Sequence, residues 1–473
     1  MQKTLKQIAM CAVAGACCSA ASAQGFEAPA GGVGPDVITA ELTGPRLWGS
    51  SNGVSAYSIG TTSCNIGDVD ALWDDETNDG TPANLHPVIA QNFFKVSDGR
   101  ITQIGQSWLK HSFFALQLNG QCGFPCDPAP NGNFLGPGCS DPYSSTLNGD
   151  QRGLGAKFEI NAATGEFPWP FTGDGVAGAS TFKRLQVPNT ELDPSLNPGA
   201  RYFAEAQYVS PDDAQAGNDD NNASYREFRV TSFGNGWNVQ YVGSTQRVLP
   251  AILSWQQVDS SVETVAADIP NDGRFWLAYN VTDNGDGTWR YEYAVQNLNS
   301  HRSADAFIVP VGEGATITNV GFRDVDYHSG EPFDSTDWSS AVTSGGVVWS
   351  SPETHAQNPN TNALRWGTLY NFWFDADTPP EAQSVLLDLF RPDAGGPSDA
   401  KIASMVPSAI PTCPADVNLD GSVDDSDFFA WVTAFTADPR TPAQESECDV
   451  NLDSLCTDSD FFAWVTFFTQ GGC

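Results

Sequence analysis

Asp416, Asn418, Asp420, Ser422, Asp424 and Asp427 stand at positions 1, 3, 5, 7, 9 and 12 of a twelve-residue stretch. Starting 33 residues later, Asp449, Asn451, Asp453, Leu455, Thr457 and Asp460 hold the same positions. Calcium is a hard cation that takes about six to eight oxygen ligands, and a short loop with this spacing can wrap around it. Positions 1, 3 and 5 offer side-chain oxygens, and Ser422 and Leu455 offer main-chain carbonyls. Asp424 or Thr457 acts through water, and Asp427 or Asp460 closes the site. Gly421 permits the sharp turn of the first loop, where the second has Ser454. A non-glycine residue at positive φ costs on the order of 1 kcal/mol. Thr457 also lacks the charge of Asp424. Two Ca2+ sites are expected, the second weaker.

A second pattern lies in FRDVDYHSGE. On a strand, Asp324, Asp326 and His328 share one face, with Glu331 just beyond. Carboxylates beside an imidazole can bind a divalent metal or move a proton. A solvated strand face carries the same pattern in a chain this rich in Asp. Glycoside hydrolysis needs two carboxyl groups at set separations, roughly 5–5.5 Å or 6.5–9.5 Å. Among 57 acids the sequence selects no pair. It contains no HExxH and no CxxC pair.

The elements that position these residues follow from periodicity. After each acidic loop the apolar residues recur at helical spacing: Phe428, Trp431, Val432, Phe435, then Phe461, Trp464, Val465, Phe468. Over 21 residues the two copies are identical at 16 positions. Neither short unit can bury its aromatic face alone, so the two are expected to pack together. The rest of the chain reads as strands. TWRYEYAV and RYFAEAQYV alternate apolar and polar residues, and Ser97-Asp98-Gly99 marks a hairpin turn. Trp338, Trp349, Trp366 and Trp373 could stack on sugar rings, but tryptophans in sandwiches are usually core.

The expected fold is therefore mainly β. One or two antiparallel sandwich or jelly-roll domains are followed by a small all-α pair of loop–helix units. The boundaries are 24–248 for a first β domain with disulfide-stapled loops, 249–391 for a second, 392–412 for a linker and 413–473 for the repeat. One large sandwich with insertions is the alternative to two domains.

Residues 1–23 have a basic start, a short apolar run and Ala21-Ser22-Ala23, which predicts a secretory leader. No apolar run is long enough to be a transmembrane helix. The net charge of −35 opposes binding to nucleic acid or anionic lipid. Beyond the leader eight cysteines remain. An even number in an exported chain favours disulfides, and the Cys122–Cys126 spacing reads as a stapled loop rather than a zinc site. The pairing among Cys64, Cys122, Cys126 and Cys139 stays open.

The paired loop–helix units, the opening Cys413-Pro414-Ala415-Asp416 and the closing Gly472-Cys473 resemble a type I dockerin. The variety is the Gly-Cys-terminated one best known from planctomycetes. The resemblance covers residues 413–473. It implies a calcium-folded docking module on an exported protein held at a cell surface or in an extracellular assembly, with a cohesin-like or surface-anchoring partner. It also implies the pairs Cys413–Cys473 and Cys448–Cys456. Such modules often accompany polysaccharide-degrading enzymes, so glycoside hydrolysis is the most specific expectation for the β region. A non-catalytic carbohydrate-binding, structural or adhesive role is the alternative.

Overall fold

The computed structural model describes residues 32–74, 84–312, 314–408, 415–418, 423–437, 440–441, 444, 448–451 and 455–470. The expected leader, Cys413, Cys473, Asp420, Gly421, Ser422, Asp453 and Ser454 lie outside the described residues.

The first unit is a sheet whose main path runs through eight strands. In chain order its strands are β1 (Val37–Ser51), β2 (Val54–Asn65), β3 (Ala71–Leu72), β4 (Val88–Ser97), β5 (Arg100–Gln106), β6 (Leu109–His111), β7 (Phe134–Leu135), β8 (Ser140–Tyr143), β9 (Leu154–Gly155), β10 (Leu185–Pro188), β11 (Arg201–Val209), β12 (Ala223–Gly234) and β13 (Gly236–Tyr241). The path is β1-β2-β10-β5-β4-β11-β12-β13. Strands β6, β8 and β9 branch from it, and β3 pairs with β7 apart. The β4–β5 hairpin turns at Asp98 (φ 52°) and Gly99 (φ 74°). Two successive positive φ values match the strand twist, and Asp-Gly suits them.

The sheet curls until β1 lies against β11, β12 and β13. Side chains join the approaching strands. Thr39 donates to the carbonyls of Ala206 (3.1 Å) and Asn222 (2.8 Å), and the Leu42 N–H donates to Thr245 (3.0 Å). Inside the curl Leu42, Tyr57, Ile59, Phe93, Ile104, Tyr202, Ala204 and Phe228 form a closed core. Disulfides Cys64–Cys122 and Cys126–Cys139 staple the loops of this unit.

The second unit is a sandwich of two five-stranded antiparallel sheets. Its strands are β14 (Glu263–Asp268), β15 (Arg274–Asp283), β16 (Trp289–Asn297), β17 (Ala304–Val309), β18 (Ile317–Arg323), β19 (Ser339–Thr343), β20 (Gly346–Ser350), β21 (Thr368–Ala376), β22 (Pro380–Leu389) and β23 (Asp399–Pro407). The sheet orders are β14-β15-β16-β21-β18 and β19-β20-β17-β22-β23. Period-2 alternation fills the space between them: Tyr291, Tyr293 and Val295 of β16 and Tyr370, Phe372 and Phe374 of β21 point inward. Trp338 and Trp349 are buried in that core, and Trp366 is buried elsewhere.

Residues 392–412 are not simply a linker. Within them, β23 pairs along nine positions with β22. Ala400, Ile402 and Val406 are buried, with Lys401 and Ala403 exposed between them. The Gly-Pro run before this strand is a turn, and the alternation behind it is short and diluted by Ser and Lys.

The outer face of β16 and β21 packs on the outer face of β4, β5 and β11. Phe94, Ile101 and Phe203 meet Trp255, Ala278, Ala294 and Leu369. This joint also holds a buried polar layer. Glu205, fully buried, accepts from the Ala251 N–H (2.6 Å), Gln296 (2.9 Å) and Asn92 (3.0 Å). The Gly367 carbonyl accepts from Asn92 (3.3 Å), Gln103 (3.3 Å) and the Lys157 ammonium (3.2 Å). Gly367 has φ 66°, and a Cβ there would stand 2.9 Å from Lys157 Nζ, so two constraints hold the position to glycine.

Candidate functional site

The C-terminal repeat includes two helices, Asp425–Phe435 and Asp458–Gln470. Each begins where its loop ends, because the last loop carboxylate is also a helix-start acceptor. Asp427 accepts from the N–H groups of Asn418 (3.1 Å) and Asp424 (2.9 Å). Asp460 accepts from those of Asn451 (3.1 Å) and Thr457 (2.8 Å). The side chains of Asn418 and Asn451 donate to Ser426 and Ser459. Every one of these bonds recurs 33 residues on. The helices pack through Trp431, Ala434 and Trp464, with Phe428, Val432, Phe435, Phe461 and Val465 around them. The Trp431 indole donates to the carbonyl of Cys448 and the Trp464 indole to that of Ala415, both at 3.0 Å. Those two acceptors immediately precede the second and first loops. Cys448 and Cys456 are disulfide-bonded. Phe468 lies against Trp464 but is 42 % exposed, at the rim of the core rather than in it.

Asp427 and Asp460 are both 0 % exposed. Neither forms an ion pair among the described residues. The segment 413–473 carries twelve acids and one cation, Arg440. Arg440 donates to the Phe435 and Cys456 carbonyls. Buried carboxylates in such an acidic segment, backed by loop oxygens at calcium spacing, are a donor set suited to a hard cation. Among the described residues no three His, Cys, Asp or Glu side chains form a metal-binding group. Asp420 and Asp453, at the centre of each loop, are outside that set.

In the β region, Asp324, Asp326, His328 and Glu331 do not lie on a strand, since β18 ends at Arg323. They follow it through an irregular segment at the joint. Asp324, Asp326 and His328 line a groove of about 330 Å³ with Gln103, Gln186, Glu191 and Tyr327. Glu331 is not part of that lining. It accepts from the N–H groups of Lys157 (2.6 Å) and Phe158 (3.1 Å) and so holds the 3-10 turn Lys157–Glu159. Burial pushes its carboxyl up to about 7, against the pull of the Lys157 amide and ammonium. Asp324 accepts from Asn362 (2.5 Å). Burial pushes it up to about 6, opposed by Asn362 and helped by Asp337 and Asp326. Asp326 is exposed.

His328 joins the two units. Its Nε2 donates to the Gln106 carbonyl (2.7 Å), which fixes the tautomer, so Nδ1 accepts from Ser329 (2.9 Å). Burial pushes the imidazole down to about 4, with the Gln106 carbonyl acting the other way. A buried imidazole kept neutral contributes fully above its unfolded value near 6.5, and that contribution is lost as pH falls from about 6.5 to about 4. Glu331 works oppositely: its contribution is present below the unfolded value of about 4.5 and lost as pH rises through about 7. The fall in stability between pH 6.5 and 4 is expected to shrink by up to about 3 kcal/mol in His328→Gln. Urea unfolding across that range reads the change, and an unaltered slope would remove His328 from the account.

Arg323 lines the groove and also a neighbouring cleft of about 470 Å³, which adds Lys95, Asp98, Arg100, Asn280, Arg290 and Glu292. Ion pairs cross the joint in both directions. Arg323 of the second unit reaches Glu191 of the first (2.8 Å), and Arg100 of the first reaches Glu292 of the second (2.7 Å). Arg100 also stacks on Trp373 at 3.5 Å, which covers the half-buried one of the four tryptophans considered above. Glu191, Arg323, Gln103 and Gln186 were absent from the sequence expectation. No local spacing marks them, because they meet only when the two units pack.

No protein-family model matches the chain, and no curated protein matches it.

Proposed function

We propose that this is an exported protein whose duplicated C-terminal segment is a calcium-folded, dockerin-like docking module. Its two β units act on polysaccharide outside the cell. The observation that supports the docking part most directly is the exact recurrence of the Asp427 and Asp460 hydrogen bonds at loop position 12. Calcium would be held by Asp416, Asn418, Asp420, Ser422, Asp424 and Asp427, and more weakly by Asp449, Asn451, Asp453, Leu455, Thr457 and Asp460. Phe429 and Phe462 occupy equivalent positions and are 66 % and 67 % exposed, which suits contact with a cohesin-like or surface-anchoring partner.

For the β units the groove beside Asp324 is the site. Burial raises the Asp324 carboxyl to about 6, towards the range a general acid for glycosidic cleavage uses, and Asp326 lies two residues along the same lining. Mature protein incubated with soluble and insoluble polysaccharides is expected to release reducing ends. Asp324→Asn should lower release by at least about 100-fold while leaving binding to the insoluble material intact. Depletion of the protein without release would favour the non-catalytic carbohydrate-binding reading. Neither release nor depletion would remove polysaccharide from the account.

A further inference from the structure

A second cavity opens at the joint, on residues the groove does not use. It is lined by Lys157, Phe158 and Ile160 of the first unit and by His301, Ser303, Tyr327, Phe333, Arg365, Trp366 and Arg391 of the second. Its walls are largely aromatic, and three of its lining residues are cations. No Asp or Glu is among them.

The Arg365 guanidinium is 3 % exposed. Phe333 stacks over it at 3.5 Å, Phe390 stands 5.2 Å away, and one terminal nitrogen donates to the carbonyls of Pro359 and Thr361. Its plane is thereby fixed. Among the described residues its Nε and other terminal nitrogen are buried without an acceptor, and Nδ1 of His301 is buried without a hydrogen-bond partner. Arg391 donates to the His301 carbonyl and to Ser303 (3.1 Å). Lys157 donates to Gln106 (3.1 Å) and Gly367 and lies 5.0 Å from the Trp366 ring centre. Among the described residues neither arginine nor Lys157 forms an ion pair. The carboxylates around them bond elsewhere, Glu331 to the Lys157 turn, Asp272 to the His301 and Arg302 amides, and Glu205 to Ala251, Gln296 and Asn92.

Leaving a buried charged donor without an acceptor costs several kcal/mol. The crowding is visible in the neighbours. Burial and Arg365 together push Arg391 down to about 10, and burial with Arg391 and Arg365 pushes His301 down to about 4. In a chain of 57 acids and 22 Lys and Arg, three cations meet around one cavity, and the acids near them, Glu331, Glu205 and Asp272, neither line it nor bond the free Arg365 nitrogens. A water would satisfy the N–H groups but not the charge. The cavity volume is about 10 Å³, room for one water- or halide-sized particle and too small for sulfate or a sugar.

The geometry points to a structural anion site for a chloride-sized monovalent anion, held by Arg365, Arg391 and His301 between the two β units. This goes beyond the proposed function and does not depend on it. The anion completes the joint, so its binding stabilises the folded chain by mass action.

The test uses the full chain. Thermal melts in sodium chloride, bromide and gluconate at one ionic strength should separate. The halides should raise Tm by roughly 2–4 °C along a saturating curve while gluconate does not. A crystal grown in bromide should give an anomalous peak between Arg365 and Arg391. Arg391→Gln should lose the halide dependence. Because that variant can fail to fold, the bromide peak in the unaltered protein decides the matter. Absence of the peak, or halide and gluconate melts that superimpose, overturns the proposal.

Discussion

Chelating calcium in the full chain is expected to strip hydrogen-exchange protection from Asp425–Phe435 and Asp458–Gln470 by at least about 100-fold, while the β strands keep theirs. The reason is electrostatic. Twelve acids share 61 residues with one cation, and Asp427 and Asp460 are buried. Without a divalent ion the loops repel themselves and the helix starts lose their acceptors. Asp427→Ala should remove the tighter site and Asp460→Ala the weaker, read as two unequal steps in a calorimetric calcium titration. Protection that ignores both chelator and added calcium would sink the calcium-folding proposal.

The second large effect is expected in the buried polar layer of the joint. Glu205→Leu should lower the stability of the β region by about 3–5 kcal/mol. The carboxylate takes hydrogen bonds from the Ala251 amide, Gln296 and Asn92, all buried, and leucine offers none of them an acceptor. Lys157 would also lose a neighbouring negative charge. Denaturant midpoints of the variant measure the loss. A change under about 1 kcal/mol would mean that water reaches the layer and the joint is not sealed.

Glu205 also marks the limit of what the sequence discloses. In RYFAEAQYV the alternation predicts a half-buried strand, and β11 is there with Tyr202, Ala204 and Ala206 facing the first core. The same pattern sends Phe203, Glu205 and Gln207 to water, yet they are 0–1 % exposed. Alternation separates two faces but does not say that a second unit will cover the polar one. The segment Asp324–Glu331 failed for a related reason. Spacing suited a strand, but among the described residues the pairing of β18 ends at Arg323, and the His328 and Glu331 side chains instead bond across the joint to Gln106 and the Lys157 turn. The aspartates there still share one groove. The two C-terminal helices were legible, because their apolar spacing and the acids at their starts are local in sequence. β23 was hidden by the Gly-Pro run before it.

The crossed indole bonds of Trp431 and Trp464 carry a further consequence. Each tryptophan belongs to one copy but braces the first turn of the other, so neither copy is a smaller version of the whole. Cutting the chain between them would leave each half with an orphaned indole donor and an unbraced loop. The two copies should therefore melt as one cooperative unit. The duplication is an interlock, and neither copy can be lost or allowed to decay without taking the other with it.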